Sequence, residues 1–202
     1  MLLKPDKASV FLNVPFDNAY EPLFIALIAA LTSIGRAPRC VLEIPEQGQG
    51  RLSRIIKHME SCTVSIHDLS RVGVPARFNM PFELGLAYAI RNFTSPRSPY
   101  HFIIMESVSH RLEQTLSDIS GHDPYIHSSK PLVIIACILD ALGTGRSAPE
   151  APEVYLMWRW LMRAGRRLKN DQGRDTIFTA SLFRRLTSAA TELAVRAGFI
   201  PE

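Results

Sequence analysis

The stretch from Ser9 to Gly35, SVFLNVPFDNAYEPLFIALIAALTSIG, decides the fold class. It opens with Ser9-Val10-Phe11-Leu12-Asn13-Val14, a short, mostly apolar run of the kind that forms a strand buried on both faces. Asn18 and Glu21 then stand three apart with Pro22 in the first turn, the pattern of a capping-box helix start. Phe24, Leu27, Ile28 and Leu31 follow at the spacing of a helical stripe, and Gly35 ends the helix. A buried strand followed by a helix of this length is half of a parallel β-α-β unit.

The alternation continues. Cys40-Val41-Leu42 predicts a second strand, Gly48 and Gly50 a loop, and Leu52, Ile55, Ile56 and Met59 a second helix. Thr63 to Leu69 predicts the third strand, followed by a loop with Gly73 and Pro75 and a helix from Pro81 to Arg91. Phe102 to Met105 is the fourth strand, Leu112 to Ile119 a short helix, and Tyr125-Ile126-His127 a brief fifth strand. Pro131 to Leu142 reads as an apolar helix stopped by Gly143. The expectation is an α/β fold, a flavodoxin-like three-layer sandwich with a parallel sheet of four or five strands in the order 2-1-3-4-5. Its ligand crevice belongs at the carboxyl ends of the strands.

Gly143 to Pro152 reads as a linker, and two helices over 153–169 and 174–197 close the chain. Residues 1–145 are therefore expected as the α/β domain and 153–202 as a C-terminal helical appendage. Leu156, Trp160 and Leu168 on one helix face Phe178, Leu182, Leu186 and Leu193 on the other, as in a hairpin. Tryptophans beside arginines, Trp158 and Trp160 with Arg159 and Arg163, suit an interface, so a homo-oligomer through these helices is expected. Nucleic acid is not an expected partner, since the tail has no recognisable nucleic-acid motif.

Composition narrows the class. The chain has 202 residues, 47% apolar and 21% charged, enough for a core without disulfide staples. Cys40, Cys62 and Cys137 make an odd number without CxxC spacing, and the longest apolar run, Leu23 to Leu31, is too short to span a bilayer. The first residues lack the apolar core of a secretory signal. No membrane partner and a cytoplasmic setting are expected. The net charge of +4 resides in the tail: residues 1–150 hold 14 basic and 14 acidic side chains, residues 151–202 hold 9 and 5.

Polar residues follow each expected strand: Asn13, Pro15, Phe16 and Asp17 after the first, Glu43 after the second. His67, Asp68, Ser70 and Arg71 follow the third, and Glu106 and Ser107 the fourth. Asn13, Asp17 and Asp68 read equally as turn or cap residues. Pro81 suits the first helical position, which puts Glu83 at the third, near the positive end of the helix dipole and ionised. Glu83 reads either as a dipole partner or as a reactive carboxylate. Gly85 weakens a helix interior and calls for a reason, such as close approach of a neighbour or ligand. The six His are scattered, and His122 and His127 lack the spacing of paired metal ligands, so no metal is expected.

Asn13-Val14-Pro15-Phe16-Asp17, Asp68 and Phe82-Glu83-Leu84-Gly85-Leu86-Ala87 together resemble the nucleoside 2-deoxyribosyltransferase-like group and the related TIR-like domains that cleave NAD. The resemblance covers residues 9–106. It implies that Phe16 lines a sugar pocket, that Asp68 orients the base, and that Glu83 attacks or stabilises the anomeric carbon. In place of the transferases' Asp- and Gly-rich loop the chain carries Arg71, Arg77, Phe78 and Asn79, and guanidinium forks suit the phosphates of a nucleotide. The implied activity is cleavage of the N-glycosidic bond of NAD or a related nucleotide or nucleoside. NAD or nucleotide is then substrate, no cofactor is required, and a role in bacterial antiphage defence is implied. Glu83 and Asp68 are the expected catalytic residues. Asn13, Pro15, Phe16, Asp17, Arg71, Arg77 and Asn79 are the expected substrate contacts. The competing expectation is a non-catalytic nucleotide-binding sensor using the same crevice.

Overall fold

The computed structural model describes residues 6–43, 50–71, 78–93, 100–119, 121–143 and 148–201. The strands are β1 (Asp6–Asn13), β2 (Ala37–Arg39), β3 (Cys62–Asp68), β4 (His101–Glu106) and β5 (Tyr125–Ile126). They form one sheet in the order β2-β1-β3-β4-β5. Asn13 lies beside His67, Asp68 beside Met105 and Glu106 beside Ile126, in parallel pairs. This is the α/β class and the strand order that the alternation of runs predicts.

The helices are α1 (Glu21–Ser33), α2 (Arg51–Ser61), α3 (Asn79–Phe93), α4 (Arg111–Thr115), α5 (Pro131–Leu142), α6 (Ala151–Asp171) and α7 (Ala180–Arg196). Four elements depart from expectation, the first being the helix expected over Leu112–Ile119, which divides into α4 and a 3-10 turn at Ser117–Ile119. β2 falls at Ala37–Arg39, ahead of the apolar run Cys40-Val41-Leu42, where Val41–Glu43 instead forms a 3-10 turn. It is an edge strand, so Pro38, which has no amide to donate, is tolerated there. α3 begins two residues before Pro81, with the Phe82 amide bonded to the Phe78 carbonyl. Proline in the first turn loses no hydrogen bond, because those amides have no partner inside the helix. The last helix begins at Ala180 rather than 174, where the Thr179 hydroxyl accepts from the Leu182 amide at 3.2 Å.

The contacts divide the chain into two compact units, and the division does not fall at the expected linker. One unit draws on residues 1–15, 39–41 and 46–128; the other on 16–38, 42–45 and 129–202. In the first, α2 packs on β1 and β3, and α3 on β3 and β4. In the second, α6 and α7 pack on each other and on α1, which also meets α5. The expected separate appendage is therefore built together with α1 and α5. Every residue of α1 from Leu23 to Ser33 is buried, so it is a central helix apolar all round, not a one-sided stripe.

The expected capping box at Asn18 and Glu21 does not form. Tyr20 is the N-cap, and the Asp17 carboxylate accepts its amide at 3.1 Å. Glu21 instead accepts Lys169 Nζ at 2.8 Å and the Ile177 amide at 2.9 Å. Trp158 Nε1 donates to the Pro22 carbonyl at 2.9 Å. The start of α1 is thereby tied to α6 and to the segment before α7. Replacing Glu21 with Ala leaves a half-buried ammonium and an amide without their acceptor. Denaturant unfolding is expected to show a loss of about 1–3 kcal/mol; an unchanged midpoint contradicts this role.

Candidate functional site

The carboxyl edge of the sheet is built from β3. Ser65 and His67 share a face with their register partners Phe11 and Asn13, and Asp68 points to the opposite face. Ser65, His67 and Asp68 are fully buried, and a buried polar group without a partner costs on the order of 1–3 kcal/mol. The Asn13 amide donates to His67 Nδ1 at 2.9 Å, which leaves the imidazole proton on Nε2, 2.8 Å from Ser65 Oγ. The Tyr100 hydroxyl donates to the same Ser65 oxygen at 2.6 Å. Burial lowers the His67 pKa to about 3, so the ring is a neutral connector. Burial also pushes the Tyr100 phenol up.

On the other face Asp68 ties the edge together. Its Oδ1 accepts the Ser70 amide at 2.9 Å and the Ser70 hydroxyl. Its Oδ2 lies 3.1 Å from His127 Nε2, which is also 2.9 Å from Ser70 Oγ. These are the residue types of a nucleophilic triad in a different arrangement. Asp68 and Ser70 both address one imidazole nitrogen, and Ser70 already donates its proton to Asp68. His127 Nε2 must therefore carry a proton and cannot accept one from Ser70, as a triad requires. Next to this cluster the Arg111 guanidinium grips Glu106 through both oxygens, with Nε to Oε2 at 2.8 Å, and reaches the Ser70 carbonyl at 3.2 Å.

The expected substrate contacts are dispersed. Phe16 is half-buried and edge-on to Phe24 and Phe178, with ring centroids 6.0 and 5.4 Å away, inside the helical unit. Pro15 is buried, Asp17 caps the turn before α1, and Arg71 is half-buried directly after Ser70. Arg77 lies outside the described residues. Asn13 and Asp68 both end up in hydrogen-bonded clusters with protein partners. Asn79 opens α3, and its amide is one of the two groups that act to lower the Glu83 pKa.

Glu83 itself is 5% exposed and is the fifth residue of α3, two residues further in than the expected third position. The dipole argument for an ionised carboxylate therefore weakens. Its pKa is raised: burial drives it up, opposed by the Arg51 guanidinium at the start of α2 and by Asn79. Gly85 lies roughly 200° around the helix from Glu83 and is not closely approached. A Cβ there would meet nothing within 4 Å. It lines an open groove of about 280 Å³ with Pro81, Leu84, Tyr88, Phe102 and Leu116. Among the described residues no cluster of three His, Cys, Asp or Glu side chains could hold a metal, and no helix is long and apolar enough to cross a membrane.

The sequence reading missed His127 as the partner of Asp68 and Tyr100 as the partner of Ser65. A histidine directly after a brief terminal strand was the available signal for the first. Comparison with protein-family models, curated proteins and solved structures found no match.

Two stability measurements check this geometry. His67 has a folded pKa of about 3 against 6.5 unfolded, so between those values the unfolded chain holds more protons. Stability must then fall as pH drops from 6.5 toward 3, by up to about 1.4 kcal/mol per pH unit from this group. Urea unfolding at stepped pH should show His67→Gln less stable at neutrality but with a shallower acid slope; an equal slope contradicts the buried neutral ring. Gly85→Ala should raise the unfolding free energy by about 1 kcal/mol, since the helix gains propensity without a clash; a loss would mean that the groove closes on this position.

Proposed function

We propose that this chain is an N-glycosidase that cleaves the bond between the sugar and the base of NAD or a related nucleotide or nucleoside, with Glu83 as the reacting carboxylate. The observation that supports the reading is the setting of Glu83, a buried carboxyl at the start of α3 between an amide and a guanidinium. It stands in the Glu-x-Gly element that carries the family resemblance. The two causes that lower its pKa favour the anion, and burial strengthens its field on a nearby cation.

As the C1′–N bond breaks, both bonding electrons leave with the base and positive charge builds on the sugar ring. Ionised Glu83 stabilises that oxocarbenium-like state, and water then adds to C1′, releasing a proton. Nicotinamide is cationic in NAD and departs neutral without an acid, so one carboxylate suffices. Asp68 serves in this scheme as the tie that holds the Ser70 segment in place.

A second reading, a nucleotide-binding sensor without turnover, is favoured by one observation: the Asp68 carboxylate, expected to orient a base, is taken up by Ser70 and His127. Incubation of the purified chain with NAD and a nucleoside panel separates the two. Release of free base that falls by orders of magnitude in Glu83→Gln, with folding intact, supports the enzyme. Binding without release supports the sensor. The acid limb of the activity profile adds a sign test. Activity should rise with pH through the raised Glu83 pKa, so its midpoint should lie above the ordinary 4.5; a midpoint at or below that value contradicts the assignment.

A further inference from the structure

The basic residues and the tryptophans of α6 fall into two sets. Lys169 is paired with Glu21 at 2.8 Å, and Trp158 donates to the Pro22 carbonyl and stacks on Tyr155 with centroids 4.8 Å apart. These hold the helical unit together. Arg163, Arg167 and Arg185 are exposed, and among the described residues none of them has a carboxylate partner. Trp160 is 60% exposed, with the Arg163 guanidinium 5.5 Å from the centre of its ring.

The second set shares one groove. Trp160, Arg163, Arg167 and Leu168 of α6 and Arg185 of α7 line a hollow of about 560 Å³ together with Ala164 and Ala189. Asp171 is the one carboxylate in its lining, so the groove carries a net excess of two positive charges. Like charges four residues apart on a helix repel, as Arg163 and Arg167 do, and the lone Asp171 offsets only one of the three arginines. Both walls are helices packed on each other and on α1, so the groove exists before anything binds.

We propose that this groove binds single-stranded nucleic acid, the arginines pairing with phosphates and Trp160 stacking on a base. Guanidinium forks match phosphate oxygens bidentately. Arg163 lies over the indole of Trp160, which is still 60% exposed, and base–aromatic stacking beside a positive groove is how strands are held without sequence preference. The distance along α6 from Trp160 to Asp171 is about 17 Å, room for a few nucleotides. A second copy of the chain fits less well, because a twofold contact through this face sets the same arginines against each other. An acidic peptide satisfies the charges but gives the exposed indole face no flat ring to stack on.

Fluorescence anisotropy of labelled 12-nucleotide dT and rU strands with the full chain, at 50, 100 and 200 mM salt, tests this. The expected result is binding that weakens with salt at a log–log slope of about −2, as three arginine–phosphate contacts imply. Trp160→Ala should weaken it about 5- to 100-fold. Arg167→Gln with Arg185→Gln should weaken it further and flatten the slope, while Arg167→Lys alone should keep most of the slope. These positions are exposed, and circular dichroism should show an unchanged fold. No binding at 50 mM salt overturns the proposal. So does displacement of the strand by poly-glutamate as effective as by unlabelled strand, which would indicate an acidic protein partner. A dimer by light scattering that Trp160→Ala dissociates, with strand binding untouched, overturns it in favour of a second copy.

Discussion

Ser65, His67 and Asp68 place hydroxyl, imidazole and carboxylate groups at the centre of a parallel sheet, where no water reaches them. The rest of the edge is arranged around that fact. Asn13 must stand beside His67 to satisfy Nδ1, which also sets the register of β1 on β3. Tyr100 must reach Ser65 from the start of β4, and His127 must follow β5 closely enough to meet Asp68. Leaving one of these groups unpaired costs as much as a typical point mutation. Three separate segments are thereby pinned by the polar residues of one strand.

This arrangement has a chemical consequence. The side chains with the residue types of a Ser-His-Asp relay are closed on one another, with the proton on the wrong nitrogen for a nucleophile. Glu106 is likewise neutralised by Arg111. Glu83 differs, because its neighbours modulate its charge instead of sealing it: Asn79 lies at the open start of α3, and Arg51 at the start of α2.

Much of the fold was readable because β1 and β4 carry continuous apolar runs, and β3 alternates Val64 and Ile66 with polar residues, between helices of ordinary length. Val10 to Leu12, Val64 to Ile66 and Phe102 to Met105 became β1, β3 and β4 with the expected order. β2 was misplaced because an edge strand of three residues containing Pro38 carries no such run. The start of α3 was misplaced because Pro81 fits anywhere in a first turn. α1 was read as a stripe although its composition, apolar nearly throughout, already suited a helix buried on all sides. For the site, placement after a strand correctly located Asn13, Asp68 and Glu106 at the edge. Spacing along the chain could not show which way Phe16 turns, nor that His127, 59 residues after Asp68, becomes its partner. Those depend on packing between segments far apart in sequence.

The central claim is that Glu83, not the buried cluster around Asp68, is the carboxyl whose protonation matters. Carboxyl-carbon NMR titration of the ¹³C-labelled chain and its Glu83→Gln variant addresses it without assuming any substrate. The account predicts one resonance titrating above the ordinary glutamate value of 4.5 that vanishes in the variant, with the remaining signals unmoved. A variant spectrum that loses only a resonance titrating at or below that value would contradict it.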